Sequence, residues 1–198
     1  MPRAATVDEI NRLIDSLDAE GERKPLKAVQ KVREAGPRVV APLMKRFEAA
    51  KRPRLRRWIV NALGALGDRR ALPLLKRAVR DPHMSVRLHA MEALERFNDP
   101  KLAATMLTLL NDESGGIRVR TIDALRRMNS YQSIPALRAL ASSDEKWYVR
   151  QASAVALGEL GARQARPELE ALRAYPRKAV QQAACAALTR LAAPPRKG

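Results

Sequence analysis

The sequence predicts an all-α chain built as a solenoid of six helix pairs, and three periodic features predict it. A first series of amphipathic helices opens at Lys24, Leu55, Val86, Ile117, Val149 and Val180, in steps of 31, 31, 31, 32 and 31 residues. A second series, out of phase with the first, opens around Pro42, Pro73, Pro135 and Pro167, with Ala104 in the equivalent place of the fourth repeat. A third column holds Gly36, Gly67, Asn98, Asn129 and Gly161. Self-similarity at this period is the mark of stacked repeats, each too thin to bury a core alone.

The unit is clearest at Val86-Arg87-Leu88-His89-Ala90-Met91-Glu92-Ala93-Leu94. Its first, fifth, eighth and ninth places are apolar, the spacing of one helical face. The eighth and ninth places recur as Ala62-Leu63, Ala124-Leu125, Ala156-Leu157 and Ala187-Leu188. We term these the inner helices. In the outer series, proline suits a first helical turn, whose amides have no intrahelical partner. Two places after it stand Met44, Leu75, Met106, Leu137 and Leu169, and five places after it Phe47, Ala78, Leu109, Leu140 and Leu172. The Gly/Asn column tolerates the left-handed backbone that closes a helix. The first helix opens on a capping box, Thr6 with Glu9, and carries Val7, Ile10, Leu13 and Ile14 opposite Asp8, Asn11, Arg12 and Asp15. The repeats run 7–36, 37–67, 68–98, 99–130, 131–161 and 162–193, one unbroken domain over 1–193. A basic tail, 194–198, is expected to be disordered.

The chain of 198 residues has a net charge of +17, which predicts attraction to acidic partners. The charge is uneven: repeat 2 carries +7, repeat 5 none, and repeat 6 with the tail +6. The single cysteine, Cys185, sits where the other inner helices have Val60, Met91 and Ile122, so a buried thiol is expected and no intrachain disulfide can form. One Cys and two separate histidines, His83 and His89, make no metal site. The first residues form no hydrophobic signal segment, and no apolar run approaches the roughly 18 residues of a membrane span. A soluble cytoplasmic protein is expected.

Leu63-Gly64-Ala65-Leu66-Gly67-Asp68 followed by Ala71-Leu72-Pro73, and Leu157-Gly158-Glu159-Leu160-Gly161, resemble HEAT repeats, in particular the short HEAT-like repeats first named from phycobilin lyases. The resemblance spans about residues 7–193. It implies a right-handed superhelix of the armadillo/HEAT type, used mainly as a binding scaffold. It also implies a ladder in which an Asp ending one helix pairs with an Arg of the next: Asp81 with Arg87, Asp112 with Arg118, Asp144 with Arg150. Ala50 stands at the partner place for Arg56, and Tyr175 at that for Gln181, so Arg56 is expected to be freer to meet a ligand.

At 100° per residue, places three, four, seven and eleven of the inner helices point away from the core, and in the family that face is concave. In the middle of the array it gathers Arg57, Trp58 and Asn61, then His89, Glu92 and Arg96, then Arg120, Asp123 and Arg127. Lys51, Arg52, Arg54 and Arg56 form a basic rim. Trp58 is either an exposed anchor among arginines or a ring packed over the small eighth-place alanine. His89 with Glu92, and Arg120 with Asp123, are three apart and read as salt-bridged surface rows. Trp147-Tyr148 is a recognition edge or a turn folded over the core. Ser114-Gly115-Gly116 reads as a flexible turn, since no phosphate-loop Lys-Ser/Thr follows.

No catalytic residue and no cofactor are indicated. The expected function is a non-enzymatic scaffold whose basic concave surface binds an acidic protein. The alternative is sequence-independent binding of DNA or RNA phosphates. More distant alternatives, implied by the family, are a HEAT-like DNA glycosylase, to which Asp123 and Trp58 are loosely similar, and a phycobilin lyase-type enzyme. A monomer is expected, with the last repeat, whose Gln182, Ala183, Ala186 and Thr189 point outward, available to pair with another molecule.

Overall fold

The computed structural model describes residues 7–15 and 24–193. The capping box at Thr6 and the 194–198 tail lie outside the described residues. Among these residues there are twelve α-helices and no strand. The outer series is α1 (Val7–Asp15), α3 (Val40–Ala49), α5 (Leu72–Ala78), α7 (Ala103–Leu107), α9 (Ile134–Ser143) and α11 (Arg166–Leu172). The inner series is α2 (Lys24–Ala35), α4 (Pro53–Leu66), α6 (Met84–Arg96), α8 (Gly115–Arg127), α10 (Trp147–Glu159) and α12 (Lys178–Ala192). The chain divides into two compact units, Met1–Asn98 and Asp99–Gly198, and the division falls between the third and fourth repeats.

In the first unit α2 packs on α4 and α4 on α6, with α3 and α5 against the inner helix of their own repeats. In the second, α8, α10 and α12 pack in the same order, backed by α9 and α11. The eighth- and ninth-place pairs Ala62-Leu63, Ala93-Leu94, Ala124-Leu125 and Ala156-Leu157 are fully buried. The closing column behaves as expected: Gly36, Gly67 and Gly161 have φ of 73°, 65° and 67°, and Asn98 and Asn129 have 46° and 49°.

Two further features set the spacing. Each outer helix from α3 to α11 is entered through a 3₁₀ turn; Asp68 and Asp99 accept from the second backbone amide after them to start two of these turns. Gly64 and Gly158, tenth in their inner helices, allow close approach of the next inner helix. A Cβ on Gly64 would lie 2.5 Å from Ala93 Cβ, and one on Gly158 2.7 Å from Ala187 Cβ.

Cys185 is exposed, contrary to expectation. Its counterparts Val60, Met91 and Ile122 are buried, but α12 is the last described helix, and among the described residues no following repeat packs on it. Leu188, ninth in α12, is half-buried for the same reason. Ala183 turns inward, while Gln182, Ala186 and Thr189 are exposed.

Leu125→Ala is expected to cost roughly 2–5 kcal/mol in urea unfolding, because the methyls it removes are fully enclosed; the same truncation at the half-buried Leu188 should cost visibly less.

Candidate binding surface

The arginines at the second place of the inner helices α4 to α10 bind in two ways. Within its own repeat each binds the backbone of the preceding turn: Arg87 Nη1 donates to the carbonyls of Asp81 and Pro82 at 3.0 and 3.1 Å, and Arg118 Nη1 to those of Asp112 and Glu113. For Arg56 and Arg118 the carboxylate partner comes from the following repeat. Arg56 makes a two-pronged contact with Asp81, Nε at 2.8 Å and Nη2 at 3.0 Å. Arg118 meets Asp144 in the same manner, at 2.7 and 2.8 Å. Asp81, Asp112 and Asp144 also accept a backbone amide two residues on, from His83, Ser114 and Lys146, so the Asp81 and Asp144 carboxylates each shape a turn and tie two repeats. The ladder expected from the resemblance is therefore present but shifted by one repeat. Arg56 is a full rung, also bonded to the carbonyls of Ala50 and Lys51, and it leaves the set of ligand-facing cations. At the other end Tyr175 replaces the aspartate: the Arg150 guanidinium lies 5.2 Å from its ring centre, and Gln181 donates to its carbonyl.

Trp58 is not an exposed anchor. It is 9% exposed, covered by the Arg57 guanidinium 4.8 Å from its ring centre and met edge-on by His89 of α6 at 6.4 Å. The Gly64–Ala93 approach holds α4 and α6 together and closes the indole between them. Arg57 is thereby half-buried and committed to the ring. His89 Nδ1 donates to the Ser85 carbonyl at 2.8 Å. Burial holds the His89 pKa below its ordinary value, opposed by that carbonyl and by Glu92, with Arg57 and Arg96 pushing it further down. The imidazole is neutral at pH 7 and adds nothing to the basic surface. Asn61 and Glu92 are half-buried, and Arg96 is exposed.

The rim residues Lys51, Arg52 and Arg54 are exposed at the head of α4. That helix has no acidic residue in its first turn. Cations at a helix N-terminus oppose the macrodipole, each by a few tenths of a kcal/mol. The fold thus tolerates here a charge arrangement that works against its own stability.

In the second unit Arg120 and Arg127 of α8 are exposed and Asp123 is half-buried. Asp123 lies 3.6 Å from Arg126, its neighbour on the next turn. Glu159, outside the surface expected from the sequence, is a hub for Arg126 and for Arg190. The two remaining sequence motifs come together. Gly115 and Gly116 are the first residues of α8, capped by Ser114, and not a flexible turn. A Cβ on Gly115 would strike the Tyr148 hydroxyl at 2.6 Å, so the glycine makes room for the tyrosine of the next repeat. Trp147 stands edge-on to Tyr148 at 5.7 Å, with the Arg177 guanidinium 5.0 Å from its ring centre. No cluster of three or more metal-ligating side chains occurs among the described residues, and none of their helices is long and apolar enough to cross a membrane.

Residues 40–118 and 103–189 match the family of HEAT repeats. No curated protein matches the sequence. Among solved structures, a designed armadillo repeat protein in complex with the peptide (KR)4 is similar at a TM-score of 0.60 and 17% identity, over 92% of this chain and 99% of that one. YibA of E. coli is similar at 0.60 and 18%, over 93% and 68%. The phycocyanin lyase complex of CpcE and CpcF from Nostoc aligns at 23% identity over 97% and 68%, with a TM-score of 0.42.

Two outcomes follow from these contacts. Arg56→Ala strands the buried Asp81 carboxylate and is expected to destabilise by about 3–5 kcal/mol, whereas Lys51→Ala should stay within about 0.5 kcal/mol; chemical denaturation of both variants decides it. Because folding lowers the His89 pKa, its contribution to stability is complete above the ordinary value of 6.5 and is lost as pH falls through the range below it. His89→Gln should remove that part of the pH dependence, and an unchanged stability–pH curve would contradict the assignment.

Proposed function

The chain belongs to the HEAT-repeat family, and we propose that it acts by binding and not by catalysis, holding an acidic protein segment on the basic surface at the head of α4. The carrying observation is a cluster of three exposed cations at the head of one helix. Lys51, Arg52 and Arg54 stay exposed around a helix N-terminus without an acid in its first turn, where positive side chains and open backbone amides both favour an anion. The fold class supports the reading: the similar armadillo design carries a bound peptide, (KR)4, whose basic character is the reverse of what this surface would take.

The test is Lys51→Glu/Arg52→Glu/Arg54→Glu against a fluorescent poly-glutamate probe. Affinity is expected to fall by about tenfold or more at low salt, and the difference should shrink as salt is raised and the screening length drops from about 10 Å to about 3 Å. Arg138 is unsuitable as a control, because Glu168 holds it at 2.6 and 2.9 Å; Arg163→Glu, exposed on the 3₁₀ turn before α11, should change affinity little. Equal effects at both places would contradict the proposal. Tight, sequence-indifferent DNA or RNA binding with a steep salt slope, in the absence of poly-glutamate binding, would transfer the surface to nucleic acid.

A further inference from the structure

We propose that the groove between α8 and α10 is a socket for one aliphatic side chain of an acidic, extended peptide. This rests on the reading of the chain as a peptide-binding scaffold, but on a different surface and a different force. The outward face of α10 carries Tyr148, Ala152 and Val155 on successive turns, the positions that in α4 hold Arg54, Trp58 and Asn61. Together with Gly116, Val119, Arg120 and Asp123 of α8 they line a cavity of about 480 Å³, within the roughly 300–1,000 Å³ of small-ligand clefts.

The socket is built in advance. Tyr148, 37% exposed, is its wall, fixed by the bare Gly115 and by the Trp147 edge. At Gly116 an added Cβ would meet nothing nearer than the Ser114 hydroxyl at 3.5 Å, so the lip is open backbone. Gln151 is half-buried at the edge and offers its amide to a peptide main chain. The bordering charge selects the flanks. The carboxylates of Asp123 and Glu159 both face the Arg126 guanidinium, and Glu159 also meets Arg190. Arg120 and Arg127 add two more exposed guanidiniums, so the surround is net positive and complements carboxylates on either side of the inserted residue.

The experiment measures anisotropy of three labelled probes with the full chain. The first is a peptide with a single leucine between two runs of glutamate (EEELEEE), the second has alanine in its place (EEEAEEE), and the third is poly-glutamate. The leucine peptide is expected to bind about tenfold more tightly than the alanine peptide, the factor that enclosing an aliphatic side chain supports. Ala152→Phe, which fills the socket, should bring the leucine peptide to the alanine level; Val155→Glu, which sets a carboxylate in it, should do so by a second route, with helicity checked for both. Equal binding of the two peptides overturns the socket. If poly-glutamate then still binds and is weakened by reversal of Lys51, Arg52 and Arg54, the basic surface of the first unit stands without it. A leucine preference with no effect of that reversal on poly-glutamate leaves the socket and removes the other reading. Binding of none of the probes overturns both. Concentration-dependent self-association abolished by Ala152→Phe, or competition by single-stranded DNA stacking on Tyr148, would assign the groove to a second copy or to a nucleic acid and overturn the peptide.

Discussion

A single helix pair of about 31 residues cannot enclose an apolar core, so everything in this molecule depends on one repeat burying its inner face against the next. The alanine–leucine pairs at the eighth and ninth places supply that contact, and Gly64 and Gly158 set how near the helices come. The exposed Cys185 and half-buried Leu188 show the same dependence by its loss: the places that are core in the middle repeats are surface in the last.

Close stacking determines what polar side chains can do. Arg56 and Arg118 lie in the seam between repeats, and there a buried guanidinium needs a carboxylate. Asp81 and Asp144 provide it from the following repeat while also shaping the turn into the next inner helix. A net charge of +17 therefore overstates the surface offered to a partner. Cations in rungs, over aromatic rings or in cross-repeat pairs such as Arg138 with Glu168 are structural. On the proposed reading recognition is concentrated in two places: the charge at the head of α4, and the tyrosine-walled groove between α8 and α10, which Arg120 and Asp123 border.

The helices and their ends were legible in the sequence because each rests on local rules repeated five or six times. Proline, glycine, asparagine and the alanine–leucine pair each have one dominant reason to recur. The 3₁₀ entries were not, since Asp68 and Asp99 carry no signal separating a cap for a 3₁₀ turn from one for an α-helix. The site was less legible because its facts lie between repeats. Whether an aspartate meets the arginine of its own repeat or of the preceding one cannot be read from a spacing of six. Trp58 sits on the outward arc of its helix wheel, yet the neighbouring helix brings His89 onto it. Gly115 and Tyr148, 33 positions apart, each looked like an isolated motif until the fold put the hydroxyl where a side chain would be.

The most direct measurement is hydrogen exchange of the full chain with and without saturating poly-glutamate. If the exposed cations at the head of α4 form the binding surface, protection should appear in the first turns of that helix, around Arg54 to Arg57, while α5, α9 and α11 exchange as before. Protection confined to the outer helices, or spread evenly over both series, would contradict a localised surface and return the basic charge to the role of a general solubilising coat.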